Sequence, residues 1–205
     1  MLANKPYVIG LTGGIGCGKS EAAKFLSSLG AAHLDADVIS HELTEAGGAA
    51  LPEIRRVFGE AAFNADGSLD RASLGKLVFG SEPARRALEG IIHPLVQREM
   101  LTRMDAAARA GASVVILDVP LLFETGMDAL CDETWTLYLP REKQVARVVT
   151  RDGLTREAAE ARVDSQMAAE KRNALATHAV NTDQPIERTR AELESLYRAA
   201  VKKAE

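Results

Sequence analysis

The stretch that decides the fold is Tyr7–Ser20, which reads YVIGLTGGIGCGKS. Its first half is short, apolar and β-branched, which is typical of a buried parallel strand. Its second half fits the phosphate-loop pattern G-x-x-x-x-G-K-[ST]. The fixed positions of that pattern are Gly13, Gly18, Lys19 and Ser20. An amphipathic helix is predicted directly after it, over Glu21–Gly30. A strand, a glycine loop and a helix in this order predict a nucleotide site.

The residue types in this loop are those that phosphate binding requires. Glycine has no Cβ and reaches positive φ, so successive backbone N–H groups can wrap the oxygens of a phosphate. The following helix adds the positive end of its dipole. Lys19 is predicted to reach the β- and γ-phosphates, and the Ser20 hydroxyl is predicted to bind Mg²⁺. The alternative is a glycine-rich turn that binds no ligand.

Composition excludes several other classes of protein. The chain has 205 residues, 46% of them hydrophobic and 26% charged, which suits one soluble core with small appended subdomains. A formal net charge of −4 argues against a general nucleic-acid binder. No apolar stretch approaches the roughly 18–20 residues of a membrane span, and the N-terminal apolar run is too short for a signal peptide. Two cysteines without metal-ligand spacing indicate free thiols in a reducing compartment, so we expect a cytoplasmic protein.

The order of elements predicts an α/β protein, a three-layer αβα core around a parallel sheet. Short apolar strands separated by helices are typical of that class. A mostly helical run over residues 38–110 is too long for a simple crossover and is interpreted as an inserted helical subdomain. Residues 141–170 form a second, smaller helical excursion. The predicted strands cover residues 7–12, 31–34, 113–118, 134–139 and 178–180.

Carboxylates follow two of these strands. Asp35 and Asp37 come after the second strand, and Asp118 closes the third. The carboxyl ends of parallel strands form the edge at which ligands bind, so these side chains are expected near the phosphate loop. One of the paired carboxylates can orient an acceptor hydroxyl and take its proton; an Asx turn or a helix cap is the alternative. Asp118 stands where a carboxylate reaches Mg²⁺.

Three further features leave alternatives open. The loop Val119–Glu124 is interpreted either as the wall of a substrate pocket or as buried packing with a capping carboxylate. Arg147 and Arg151 share a helix face, where arginine can neutralise a transferring phosphoryl group, although spacing alone favours a solvated charged face. Pro94 is typical of a helix's first position, which predicts His93 as the cap residue.

Several nucleotide-binding functions remain compatible with these residues. A GTPase would need a base-reading N/T-K-x-D motif, and the one Asn-Lys pair, Asn4-Lys5, precedes the first strand. A small-molecule kinase is therefore favoured. The alternatives are a kinase for another small hydroxyl substrate, such as a nucleoside or a sugar acid, and a regulatory protein controlled by ATP occupancy.

Taken together, the motifs resemble those of the dephospho-CoA kinase family over about residues 7–200. The phosphate loop is followed in order by Asp35-Ala36-Asp37, Ile92-His93-Pro94, Asp118-Val119-Pro120-Leu121-Leu122-Phe123-Glu124, Arg147…Arg151-Asp152 and Arg162…Gln166. The resemblance implies transfer of the γ-phosphate of ATP to the ribose 3′-hydroxyl of 3′-dephospho-CoA, with Mg²⁺. The products would be CoA and ADP, and the reaction would be the last step of coenzyme A biosynthesis.

The resemblance also implies roles for single residues. Asp37 would be the catalytic base, joined in catalysis by Lys19, Arg147 and Arg151. Mg²⁺ would be held by Ser20 and Asp118. The substrate would lie near Thr12, Asp35, His93, Leu121 and Glu124. ATP would be held by Gly13, Gly14, Gly16, Cys17, Gly18, Lys19, Ser20 and Glu21, with Cys17 standing where the family commonly has serine.

The family's architecture implies a division of the chain into three parts. A P-loop core would cover about residues 5–40, 111–140 and 174–205. A helical CoA subdomain would cover about 41–110, and a helical lid about 141–173. The expected partner is the small-molecule substrate, with neither nucleic acid nor membrane, in a monomer or weak homo-oligomer.

Overall fold

A computed structural model describes residues 5–205 of the chain as alternating strands and helices. The strands are β1 (Tyr7–Gly13), β2 (Ala32–Asp35), β3 (Val114–Asp118), β4 (Glu133–Tyr138) and β5 (His178–Asn181). The helices are α1 (Lys19–Ser28), α2 (Ala36–Leu43), α3 (Leu51–Phe58), α4 (Arg71–Val78), α5 (Glu82–Arg109), α6 (Arg141–Asp152), α7 (Arg156–Asp164), α8 (Ala169–Leu175) and α9 (Ile186–Ala204). Two short 3₁₀ helices cover Glu60–Ala62 and Met127–Leu130.

The five strands form one parallel sheet in the order β2-β3-β1-β4-β5, which confirms the predicted fold class. β1 lies at its centre, with Leu11 beside Asp118 of β3 and Gly13 beside Leu137 of β4. Both faces of β1 are covered, which explains its nearly continuous apolar sequence. The phosphate loop therefore leaves the sheet from its central strand, at the carboxyl edge where ligands of such sheets bind.

By its contacts the chain divides into two compact units. One unit contains the residues up to Leu34 together with Met104–Glu205, and its main core packs β1, β3 and β4 against α1 and α9. The other unit, Asp35–Arg103, is helical and has a core of its own. That second core is built on Ala50, Ile54, Ala62 and Leu74. Among the described residues, no helix is both long and apolar enough to cross a membrane.

The expectation that His93 caps a helix is wrong. Pro94 lies inside the 28-residue helix α5, so the chain is already helical before His93. A proline in a helix interior costs about 3 kcal/mol. Here Ile91, Ile92 and Leu95, on both sides of the proline, pack against the core of the helical unit. Burial of these side chains outweighs the lost hydrogen bond, and the helix continues.

Candidate active site

The phosphate loop ends in two glycines that no other residue type could replace without strain. Gly16 and Gly18 have φ of 77° and 87°, in the left-handed region. Gly18 is also the N-cap of α1, and its lack of a side chain leaves α1 without a side-chain cap. The first backbone N–H groups of α1 therefore remain available to an anion at the positive end of the helix.

Gly13 and Gly14 are closely packed, Gly13 against backbone and Gly14 against side-chain ends. A Cβ on Gly13 would lie 2.9 Å from the carbonyl oxygen of Leu137 in β4. A Cβ on Gly14 would lie 2.7 Å from Oε1 of Gln144. The first half of the loop is thus pressed against the neighbouring strand and against α6, while the second half carries the backbone freedom that phosphate binding needs.

A buried ion pair joins the loop to the sheet. Lys19 Nζ bonds Asp118 Oδ1, and their side chains are only 15% and 2% exposed. The second oxygen of Asp118 lies 3.2 Å from His33 Nε2. Burial works to raise the pKa of Asp118, but the hydrogen bond with His33 and the charge of Lys19 outweigh it and keep that pKa below its usual value. Asp118 is therefore a carboxylate at neutral pH.

The sequence analysis missed His33. It lies on β2, and β2 is the neighbour of β3 in the sheet although some eighty residues separate the two along the chain. A polar residue two positions before Asp35 in a short strand was the one available signal. Only the strand order shows that it faces Asp118.

Two side chains from the 141–173 segment hold the middle of the phosphate loop. Arg147 Nη1 donates a hydrogen bond of 2.9 Å to the carbonyl oxygen of Gly16. Gln166 Oε1 accepts one of 2.7 Å from the backbone N–H of Ile15. Arg151, one turn along α6 from Arg147, instead pairs with Asp152. The helix face that the sequence predicted thus brings one of its two arginines to the loop.

The two aspartates after β2 have separate positions in the helical unit. Asp35 is the N-cap of α2, because its Oδ1 accepts hydrogen bonds from the N–H groups of Asp37 (2.8 Å) and Val38 (3.2 Å). Asp37 lies in the first turn of α2 and its side chain is exposed. The capping alternative therefore applies to Asp35, which leaves Asp37 as the carboxylate of the pair that does not cap the helix.

The loop after β3 is partly buried and partly exposed. Leu122 is fully buried, and Thr12 Oγ1 donates a 3.0 Å hydrogen bond to the carbonyl oxygen of Pro120. Leu121, by contrast, is 41% exposed, and Glu124 is exposed as well. Packing thus fixes the loop through Thr12 and Leu122, while Leu121 and Glu124 face outward.

A cavity of about 170 Å³ opens beside the phosphate loop, and Arg147 is one of the residues that line it. Its walls come from the loop, from α1 and from the segment that follows β5. Asn181 shapes that segment by accepting a 2.8 Å hydrogen bond from the N–H of Asp183. The residues that line the cavity include Cys17, Gly18, Phe25, Arg147, Thr182 and Gln184.

Both cysteines are expected to be unreactive in the folded protein. Cys17 is 1% exposed and burial raises its pKa, while burial and nearby acids raise the pKa of Cys131 to about 12. Since the thiolate is the nucleophile, we expect slow reaction with a disulfide reagent at pH 8, and fast reaction of both thiols in denaturant. Rapid release of one equivalent of reporter thiol by the folded protein would contradict this.

The chain is similar to proteins of one enzyme family. The family model described as dephospho-CoA kinase matches residues 7–188. The dephospho-CoA kinase of Symbiobacterium thermophilum is 42% identical over 193 residues, which is 94% of this chain and 81% of the relative. That of Thiobacillus denitrificans is 43% identical over 192 residues, which is 93% of this chain and 94% of the relative.

Comparison with solved structures also finds similar proteins. A Thermus thermophilus protein superposes with a TM-score of 0.81 at 35% identity, covering 95% of this chain and 97% of that one. The dephospho-CoA kinase of Campylobacter jejuni gives 0.66 at 25% identity, covering 97% and 99%. A shikimate kinase of Acinetobacter baumannii shares the fold, with a TM-score of 0.57 at 18% identity over 98% and 96% of the two chains. With its phosphate loop, buried Lys19–Asp118 pair and a family match over most of its length, the chain belongs to the dephospho-CoA kinase family.

Proposed function

We propose that the chain transfers the γ-phosphate of ATP to the 3′-hydroxyl of the ribose of 3′-dephospho-CoA. The products are CoA and ADP, and the reaction is the final step of coenzyme A biosynthesis. The observation that carries the proposal is the match to the dephospho-CoA kinase family over residues 7–188. That range includes the phosphate loop, Asp37 and the arginine that bonds the loop.

The residues of the chain divide the chemistry among them. The N–H groups of the loop and of the first turn of α1, over residues 16–21, hold the phosphates of ATP. Lys19 and Arg147 place positive charge where negative charge spreads over the transferring phosphoryl group. Asp37 orients the 3′-hydroxyl and accepts its proton; since the transition state is loose, orientation is the larger part of its role.

Ser20 and Asp118 fit a magnesium ion. A hydroxyl and an ionised carboxylate are hard oxygen donors of the kind that Mg²⁺ prefers, and the pKa of Asp118 is held low. Ser20 lies in the first turn of α1, in the same compact unit as Asp118. When bound, the ion supplies charge neutralisation at the β- and γ-phosphates.

The cavity of about 170 Å³ suits the adenine of ATP, because it begins at Cys17 and Gly18 and offers the ring of Phe25 and the amide of Gln184. We also infer a three-part organisation, with a P-loop core, a helical CoA subdomain at about 41–110 and a lid at about 141–173. Two free thiols suit a cytoplasmic enzyme. Its partner is the small-molecule substrate, without nucleic acid or membrane, and the enzyme acts as a monomer or weak homo-oligomer.

The proposal is tested by measuring ADP release with a panel of acceptors. We expect turnover with 3′-dephospho-CoA well above turnover with adenosine, other nucleosides, shikimate or gluconate. CoA is the matched control, because its 3′-position already carries phosphate and should give no ADP release. Faster turnover with another acceptor would assign a different kinase. Absence of stimulation by every acceptor would favour a regulatory nucleotide-binding protein.

The two arginines of α6 should differ in their effect on the reaction. Arg147→Met should lower kcat by about 10²–10³-fold, because Arg147 bonds the carbonyl oxygen of Gly16 and so lies at the loop. Arg151→Met should lower it by less than about tenfold, since Arg151 pairs with Asp152. Steady-state kinetics with saturating ATP compare the two variants. Equal losses would show that Arg151 leaves Asp152 to act on the phosphates.

A further inference from the structure

Arg172 is a buried cation that forms no ion pair with a carboxylate among the described residues. It lies on α8 and is only 3% exposed. Its Nη1 donates a 3.0 Å hydrogen bond to the carbonyl oxygen of Met167, but its Nε is buried with no hydrogen-bond partner in residues 5–205. Within the described residues of its own unit, no carboxylate forms an ion pair with it. A buried charge in this state is costly and calls for a physical reason.

The acids nearest along the chain do not supply that balance. A cavity of about 450 Å³ is lined by Arg172, Asp164 and Glu170 among others. Asp164 is engaged by Arg141 at 2.7 Å, and Glu170 is exposed to solvent. Neither acid therefore neutralises the guanidinium, in a site where little water screens its charge.

The guanidinium lies against the phosphate loop. A Cβ built on Gly14 would be 2.8 Å from Arg172 Nη2, so the guanidinium lies close to the backbone of the loop at this position. Its field also reaches Cys17, three residues further along the loop. There the charge of Arg172 lowers the pKa of the thiol, against the larger effect of burial that raises it.

We propose that Arg172 is a positioning residue for the polyphosphate of ATP, which acts through the phosphate loop from its far side. Its charge raises the positive potential in the loop before the nucleotide arrives, and the phosphates supply the charge that the protein does not. The inference rests on the proposed function, because it takes ATP as the ligand of the loop. In this proposal Arg172 acts on the nucleotide through the loop that it lies against.

The test compares ligands that differ in the number of phosphate groups and therefore in charge. Calorimetry measures the affinities of adenosine, AMP, ADP and ATP, and of inorganic tripolyphosphate, for the wild-type chain and its variants. Arg172→Met removes the charge at similar volume, and we expect about tenfold weaker binding of ATP and tripolyphosphate. Adenosine binding should change less than about twofold, with ADP between the two. Arg172→Lys should recover most of the affinity.

Controls separate a charge effect from a structural one. Arg198→Met removes the same charge from an exposed, ion-paired site on α9 and should leave every affinity unchanged. Equal losses for adenosine and ATP would show that Arg172 only maintains the fold, and would overturn the inference. The inference would also be overturned if the ratio of ATP affinity to adenosine affinity were the same in Arg172→Met as in the wild-type chain. It would be overturned as well if Arg172→Lys bound ATP as weakly as Arg172→Met.

The outcomes also separate this inference from the proposed function. If Arg172→Met does not fold, Arg172→Gln is compared with Arg172→Lys, and equal ATP affinities of those two overturn the inference. If the wild-type chain does not bind ATP, both proposals fail. If it binds ATP and shows the charge-dependent loss but does not phosphorylate 3′-dephospho-CoA, the inference stands and the proposed acceptor is wrong.

Discussion

The Lys19→Met variant is expected to lose about 10³-fold in kcat and to bind ATP more weakly. Phosphoryl transfer depends mostly on positioning and on stabilisation of charge, and one removed group of this kind costs about 10²–10³-fold or more. Lys19 carries a nearly buried positive charge, with a side chain only 15% exposed, and we propose that this charge acts on the phosphates. Steady-state kinetics and ATP calorimetry measure the two losses.

The same substitution should also destabilise the fold, and this effect can be separated from catalysis. Removal of Lys19 leaves Asp118, whose side chain is 2% exposed, with His33 as its remaining ion-pair partner among the described residues. Breaking a buried pair from one side costs about 3–5 kcal/mol. The double variant Lys19→Met/Asp118→Asn should therefore regain most of the thermal stability but none of the activity. Activity that returns with stability would show that Lys19 serves the fold alone.

The Asp37→Asn variant is expected to lose about 10²–10⁴-fold in kcat while it binds ATP normally. An amide can accept a hydrogen bond from the 3′-hydroxyl but cannot take its proton, and a positioned base contributes about that factor. Because ATP binding depends on the loop, the affinity for ATP should change little. Steady-state kinetics with 3′-dephospho-CoA and ATP calorimetry measure the two quantities.

Asp35→Asn is the matched control for that prediction. Asp35 caps α2 through its Oδ1, and asparagine caps helices about as well as aspartate. The control should therefore keep kcat within about tenfold and keep its stability within a few tenths of a kcal/mol. A large loss in Asp35→Asn together with normal turnover in Asp37→Asn would exchange the roles of the two carboxylates.

Local structure around the nucleotide site was predictable because it follows from local chemistry. The apolar run before Gly13 predicts β1, the glycines predict the loop, and both agree with the structure within a residue or two. The helix through Pro94 was not predictable, because the packing that outweighs the proline comes from residues distant in sequence. Local propensity is decided by near neighbours, and tertiary packing can override it.

The positions of side chains around the loop were only partly predictable. The motif identifies Lys19, the end of a predicted strand identifies Asp118, and the parallel sheet brings the two together. Spacing places Arg147 and Arg151 on one helix face, yet it cannot show which of them bonds Gly16 and which pairs with Asp152. Arg172 belongs to no motif. Arg172 stands out only because it is buried, and burial is a property of the folded chain that a sequence pattern does not show.

The central place of β1 in the sheet also has a consequence for the order in which the chain folds during its synthesis. β1 leaves the ribosome first, but its partner strand β3 follows roughly a hundred residues later. Because synthesis proceeds at about 5–20 residues per second, β1 remains for about 5–20 s without a neighbouring strand. During that time it is an apolar segment able to pair with other chains. The helical unit, Asp35–Arg103, is continuous in sequence and has its own core, so it can fold during that interval. The nucleotide site, although its loop is encoded within the first twenty residues, is completed only after β4 and the segment with Arg147 and Gln166 have been made.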